Sequence, residues 1–140
     1  MKSKKNIILW ASCFTVLLLT SCAHKISFQN SSVVPAARGD VKVKKDNNQN
    51  YVISITLANL AEVNRLQPPK NTYVVWMVTD DQLTKNIGQI KSSTGRFSSS
   101  LKASFKTVSS FKPSKIFITA EDDGDIQYPA SQVVLSTNNF

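Results

Sequence analysis

Few side chains in this 140-residue chain are placed to do chemistry. Cys22 follows Leu19-Thr20-Ser21 and closes an apolar run that begins at Ile7, so its thiol is read as a point of covalent attachment, the alternative being an incidental small residue near an ordinary cleavage site. The other cysteine, Cys13, lies inside that run, and no residue after Cys22 offers a thiol or a disulfide. The single histidine, His24, stands in a polar segment with no helical period, where a preorganised triad or a histidine metal cluster has no partners. Two acidic groups remain, Asp80-Asp81 and Glu121-Asp122-Asp123-Gly124-Asp125. Paired carboxylates of this kind can serve a carboxylate-only hydrolase, and Asp122, Asp123 and Asp125 are the candidate ligands for calcium, a hard cation that takes several oxygens. Both groups fall in turn sequences, where solvated acids are ordinary, and the second lacks the twelve-residue spacing and terminal glutamate of an EF-hand. No Gly-rich phosphate loop or nucleophile elbow occurs, so neither catalysis nor a cofactor is expected.

The elements around Cys22 explain that residue best. Lys2, Lys4 and Lys5 form a positive start, Ile7 to Leu19 form an apolar core interrupted by Ser12 and Thr15, and small polar residues follow, which is the order of a signal peptide. A helix over that core would reach about 20 Å, short of the roughly 30 Å of hydrocarbon that a spanning helix must cross. Leu19-Thr20-Ser21-Cys22 resembles the lipobox of bacterial lipoproteins. The resemblance implies cleavage between Ser21 and Cys22, a diacylglyceryl group on the Cys22 thiol, and a further fatty acid such as palmitate on the new amino group. Anchoring by several acyl chains is effectively permanent, because each buried methylene contributes about 0.8 kcal/mol. Ala23 follows the cysteine where an aspartate would favour inner-membrane retention, and no acidic run follows, so the expected position is the periplasmic face of an outer membrane.

Residues 1–21 are thus read as a signal peptide, 22–38 as a lipid-anchored tether rich in Ser, Asn and Gln, and 39–140 as a single domain. Losing Lys2, Lys4 and Lys5 leaves 14 basic against 9 acidic side chains, a net charge of +5. From Gln82 to Ala120 the chain carries Lys85, Lys91, Arg96, Lys102, Lys106, Lys112 and Lys115 and no acid. Their alternation with apolar residues predicts that they solvate outward strand positions and guard sheet edges. The alternative is a basic face that attracts anionic lipid or acidic polysaccharide. Nucleic acid is not an expected partner outside the cytoplasm.

Period-two patterning dominates the domain. Val41 and Val43 alternate with Lys42 and Lys44, and Tyr51, Ile53, Ile55 and Leu57 alternate with Ser54 and Thr56, with the turn-forming Asp46 to Asn50 between them; the two predict a hairpin. Pro68-Pro69 limits the stretch from Leu60 to Lys70 to one helical turn. Tyr73, Val75 and Met77 on one face and Val74, Trp76 and Val78 on the other predict a central strand covered on both sides, with Trp76 in a core. Thr84 to Ile90, the stretch in which Leu101, Ala103 and Phe105 face inward, Ser114 to Ala120 and Gln132 to Ser136 supply the rest. About seven short strands without a helix predict an all-β fold, an antiparallel β-sandwich or partly closed barrel.

Several stretches of this domain look like the extracytoplasmic C-terminal domain of anti-sigma-K factors. They are Tyr73-Val74-Val75-Trp76, Ile87-Gly88-Gln89-Ile90, Ile116-Phe117-Ile118-Thr119-Ala120-Glu121 and Pro129-Ala130-Ser131-Gln132-Val133-Val134, within a resemblance that spans Arg38 to Asn138. The family turn usually reads Glu-Pro-x-Gly-Gly, where this chain has Glu121-Asp122-Asp123-Gly124-Asp125. The resemblance implies an envelope sensing or partner-binding domain, and with no cytoplasmic sigma-binding domain expected here, direct sigma-factor binding is not implied. The functional expectation is a non-enzymatic, lipid-anchored cell-envelope protein whose β domain binds a protein or polymer or serves a structural role. The alternative is an envelope signalling accessory.

Overall fold

A computed structural model describes residues 23–90 and 102–140. Cys22, Ser21 and the apolar run lie outside the described residues, as do Lys91, Arg96 and the expected turn at Ser92 to Gly95. Among the described residues eight strands form in chain order: β1 (His24–Ser27), β2 (Arg38–Lys45), β3 (Tyr51–Ala58), β4 (Thr72–Thr79), β5 (Thr84–Ile90), β6 (Ala103–Ser109), β7 (Pro113–Glu121) and β8 (Val133–Ser136). A 3-10 turn, Val63–Arg65, sits in the connection that Pro68 and Pro69 keep from becoming a helix. The strands make two four-stranded antiparallel sheets, β1-β2-β3-β6 and β5-β4-β7-β8. They pack as a sandwich, with no closed barrel.

The alternation read from the sequence fixes which side chains lie between the sheets. Val41, Ile53, Ile55 and Leu57 point in from one sheet and Tyr73, Val75, Met77, Ile116, Ile118 and Leu135 from the other, all buried. The β2–β3 hairpin turns where expected, with the Asp46 carboxylate accepting the backbone amides of Asn48 and Asn50 at 2.8 and 2.9 Å beside the backbone bond from Asp46 N to Asn50 O at 2.9 Å. At β5 the pairing with β4 shifts register between Val75 and Trp76, and Gly88 sits there with φ +139°. A Cβ at Gly88 would run into the Phe105 ring of β6, so this glycine both permits the bulge and lets the second sheet approach.

The segment expected to be a tether is part of the domain. His24 to Ser27 pair with Val43 to Asp40 as an edge strand, Phe28 bridges to Thr137 of the other sheet, and Gln29 N donates to Ser136 O at 2.8 Å. The Ser31 hydroxyl then accepts the Val34 amide at 2.9 Å, and Phe28, Val34 and Ala37 enter the core. Among the described residues the β domain therefore takes in His24 to Arg38 ahead of Gly39. Apolar burial is the physical reason: Ile26 and Phe28 recur at a period of two inside a stretch whose Ser, Asn and Pro content masks them.

Candidate functional site

The acidic loop after β7 is folded against the sheet. β4 has apolar side chains on its outer face as well as its inner one, and Val74 and Trp76 are fully buried there, outside the inter-sheet core. Trp76 stacks on Phe117 with ring centroids 6.2 Å apart and donates its Nε1–H to the Thr119 hydroxyl at 2.8 Å. The chain between β7 and β8 is tied to this face by β5. Asn86 Nδ2 donates to Gly124 O at 2.9 Å and Ile126 O at 2.8 Å, while Gln89 Nε2 donates to the Asp125 carboxylate at 3.2 Å. Gly124 is buried so closely against Gln89 that a Cβ would overlap the amide. Glu121 anchors the base of the loop; the residue is 2% exposed and its carboxylate accepts the Ala130 and Ser131 backbone amides at 3.1 and 3.2 Å.

These bonds decide what the acids do. Asp122 is held by Lys70 Nζ at 2.7 Å, Asp123 accepts the Asp125 amide at 3.0 Å, and Asp125 receives Gln89. The three calcium candidates are thus directed to three different partners, and among the described residues no group of three or more His, Cys, Asp or Glu is arranged to hold a metal ion. Asp80 and Asp81 lie at the other end of the strand. Thr72 pairs with Glu121 and Thr79 with Pro113, so the length of β4, about 23 Å at 3.3 Å per residue, separates the two acidic groups. A paired-carboxylate reaction needs separations below about 10 Å.

The loop and the connection before β4 border an open cleft of about 700 Å³, lined by the polar side chains of Glu62, Asn64, Lys70, Gln89 and Asp122 and by the apolar Val63 and Ile90. Amide, ammonium and carboxylate groups together can pair with the hydroxyls and amides of a polar ligand. A second cleft of about 740 Å³ opens on the other side of Gly124, with Tyr128 76% exposed at its rim. Sequence reasoning singled out the acids but missed Asn86, Gln89 and Lys70, whose partners are 36 to 52 residues away.

The outer face of β1-β2-β3-β6 has a different chemistry. The register places Lys25 opposite Lys42, Lys42 opposite Ser54, and Ser54 opposite Lys106. Lys44 lies two residues along β2 and Lys102 just ahead of β6, and all five lysines are exposed. Asp40 is the acid on this face among the described residues. The Ser27 hydroxyl, donating to it at 2.8 Å, does most to hold its carboxyl below the usual range, and Lys25 at 3.2 Å adds to the effect against the opposing influence of burial. The long acid-free stretch is therefore divided. Lys102 and Lys106 join this face, while Lys85 lies over the Phe111 ring at 4.3 Å and Lys115 belongs to the other sheet.

Among the described residues these features define an all-β protein, an antiparallel sandwich of two four-stranded sheets with one outer face roofed by the β7–β8 loop and the other exposing a row of lysines. No protein-family model, no curated protein and no solved structure matches the chain. Among the described residues no helix is long and apolar enough to cross a membrane.

Proposed function

We propose that this protein is a lipid-anchored, extracytoplasmic binding module without enzymatic activity. The observation that carries the reading is the position of Cys22: Leu19-Thr20-Ser21-Cys22 stands immediately ahead of the first strand, which begins at His24. An acylated Cys22 would hold the sandwich at a membrane surface by its edge strand, without a spacer. The commitment of Glu121, Asp122, Asp123 and Asp125 to bonds within the fold supports a binding role over a catalytic one. The cleft beside the β7–β8 loop is the part that would engage an envelope protein or polymer.

Metabolic labelling with a radioactive fatty acid tests the anchor: the wild-type chain takes up label, Cys22→Ser takes up none and leaves the membrane fraction, and equal labelling of the two rejects the assignment. Crosslinking in intact cells from a photoreactive residue at Asn64, which is exposed on the cleft rim, tests the binding role. Recovery of a glycan or an envelope protein supports it. Recovery of a transmembrane regulator would favour the signalling role implied by the anti-sigma-K resemblance.

A further inference from the structure

The two outer faces of the sandwich are treated differently by the fold. That of β5-β4-β7-β8 is roofed by the β7–β8 loop, whereas that of β1-β2-β3-β6 presents Lys25, Lys42, Lys44, Lys102 and Lys106 against the single carboxylate of Asp40 among the described residues. Three of the ammonium groups share one row across four strands, Lys25–Lys42–Ser54–Lys106. At about 4.8 Å per strand that row spans roughly 14 Å. Like charges directly opposite one another destabilise a sheet, and the Lys25–Lys42 pair is relieved on one side alone, by Asp40. The positive potential of such a row attracts anions from outside the fold.

The position of Cys22 indicates which anions. β1 belongs to this same sheet, and Cys22 precedes His24 by two residues, a reach of at most about 7 Å. We propose that the lysine face is an electrostatic seat on anionic phospholipid, which lays the anchored domain side-on against the headgroups with the β5-β4-β7-β8 sheet turned to the aqueous side. The inference rests on the lipid-anchored reading and deepens it. In this orientation the cleft beside the β7–β8 loop stays accessible. A juxtamembrane lysine is worth about fivefold in affinity for an anionic leaflet, so five on one face are enough to fix an orientation for a domain already held by lipid.

The test uses the full protein isolated from the membranes in which it is expressed. It is reconstituted in vesicles of phosphatidylcholine alone or of phosphatidylcholine mixed with phosphatidylglycerol, and treated with an amine-acetylating reagent. Lys42 and Lys106 are expected to react at least fivefold more slowly on the phosphatidylglycerol vesicles and to recover when salt is raised to about 0.5 M, which shortens screening to a few ångströms. Lys115, on the opposite sheet, reacts equally on both. The mass of the N-terminal peptide in the same digest reports the lipid on Cys22. A lipidated chain with unprotected Lys42 and Lys106 overturns the seat and keeps the anchor. A chain without lipid whose lysines are still protected by phosphatidylglycerol keeps the seat and overturns the anchor, and one with neither overturns both.

Discussion

Trp76 and Thr119 are joined side chain to side chain across the β4–β7 pair, with the indole Nε1 2.8 Å from the hydroxyl oxygen and both residues fully buried on the outward side of their sheet. The sheet thus has a second, smaller interior beneath the β7–β8 loop. Thr119→Val keeps the shape and removes the acceptor, leaving a buried N–H without a partner, which costs about 1–3 kcal/mol. Thr119→Ser keeps the oxygen and should cost less. Urea unfolding midpoints order the three proteins as wild type, Ser, Val; a Val variant as stable as the wild type would show that the bond contributes nothing.

Glu121 holds the loop that roofs this interior. Its buried carboxylate accepts two backbone amides from the far end of the loop, Ala130 and Ser131, so one side chain closes nine to ten residues of chain. Glu121→Ala leaves both donors unpaired and is expected to destabilise the domain by about 2 kcal/mol or more. The effect should be local as well as global. Hydrogen exchange at Ala130 and Ser131 should accelerate more than exchange at Ile116 or Ile118 in the inter-sheet core, and a uniform acceleration would place the role of Glu121 elsewhere.

Much of the sandwich was legible because its strands obey a period of two. Val41, Ile53, Ile55 and Leu57 are apolar where the sheet has an inside, and Lys42, Lys44, Ser104 and Lys106 are polar where it has an outside. The doubly apolar β4 was legible for the same reason, though not what covers its second face. That cover is made by Asn86 and Gln89 reaching the backbone and Asp125 of a loop far along the chain, and a period says nothing about contacts at such separation. β1 escaped because four residues between polar neighbours make a weak signal, and what stabilises it is pairing with β2 and burial of Phe28, both long-range. The lysine row was hidden likewise. Lys25, Lys42 and Lys106 come from three distant segments, and the register alone brings them together.

Tyr73 makes the core respond to alkaline pH. Burial pushes its hydroxyl from the ordinary value of 10 up to about 12, and that hydroxyl donates to Ala61 O at 2.9 Å. A pKa raised in the folded state means that the folded protein holds this proton more tightly than the unfolded chain does. The resulting stability is complete below pH 10 and is lost as pH rises through 12. Tyr73→Phe removes the ionisation together with the hydrogen bond. Its unfolding midpoint should lie below that of the wild type at neutral pH, and the gap should narrow across that alkaline window. A gap independent of pH would mean that Tyr73 titrates no differently when folded.

Phe28 decides whether the chain ahead of Arg38 is spacer or structure. It lies one residue beyond β1, is 9% exposed, and pairs its backbone with Thr137, so it links the edge of one sheet to the edge of the other. Truncating a buried phenylalanine to alanine costs about 3–5 kcal/mol through lost transfer energy and the cavity left behind. Phe28 keeps some contact with solvent, so the lower end of that range is expected for Phe28→Ala. Ser32→Ala, at an exposed position of the same segment, should change little. The comparison separates the two descriptions of this segment: in a flexible tether both substitutions are silent, whereas in a sandwich that starts at His24 only Phe28→Ala lowers the unfolding midpoint. The same loss would reach the anchor, because a frayed β1 would free the chain between Cys22 and β2 and lengthen the link that otherwise holds the lysine face within reach of the headgroups.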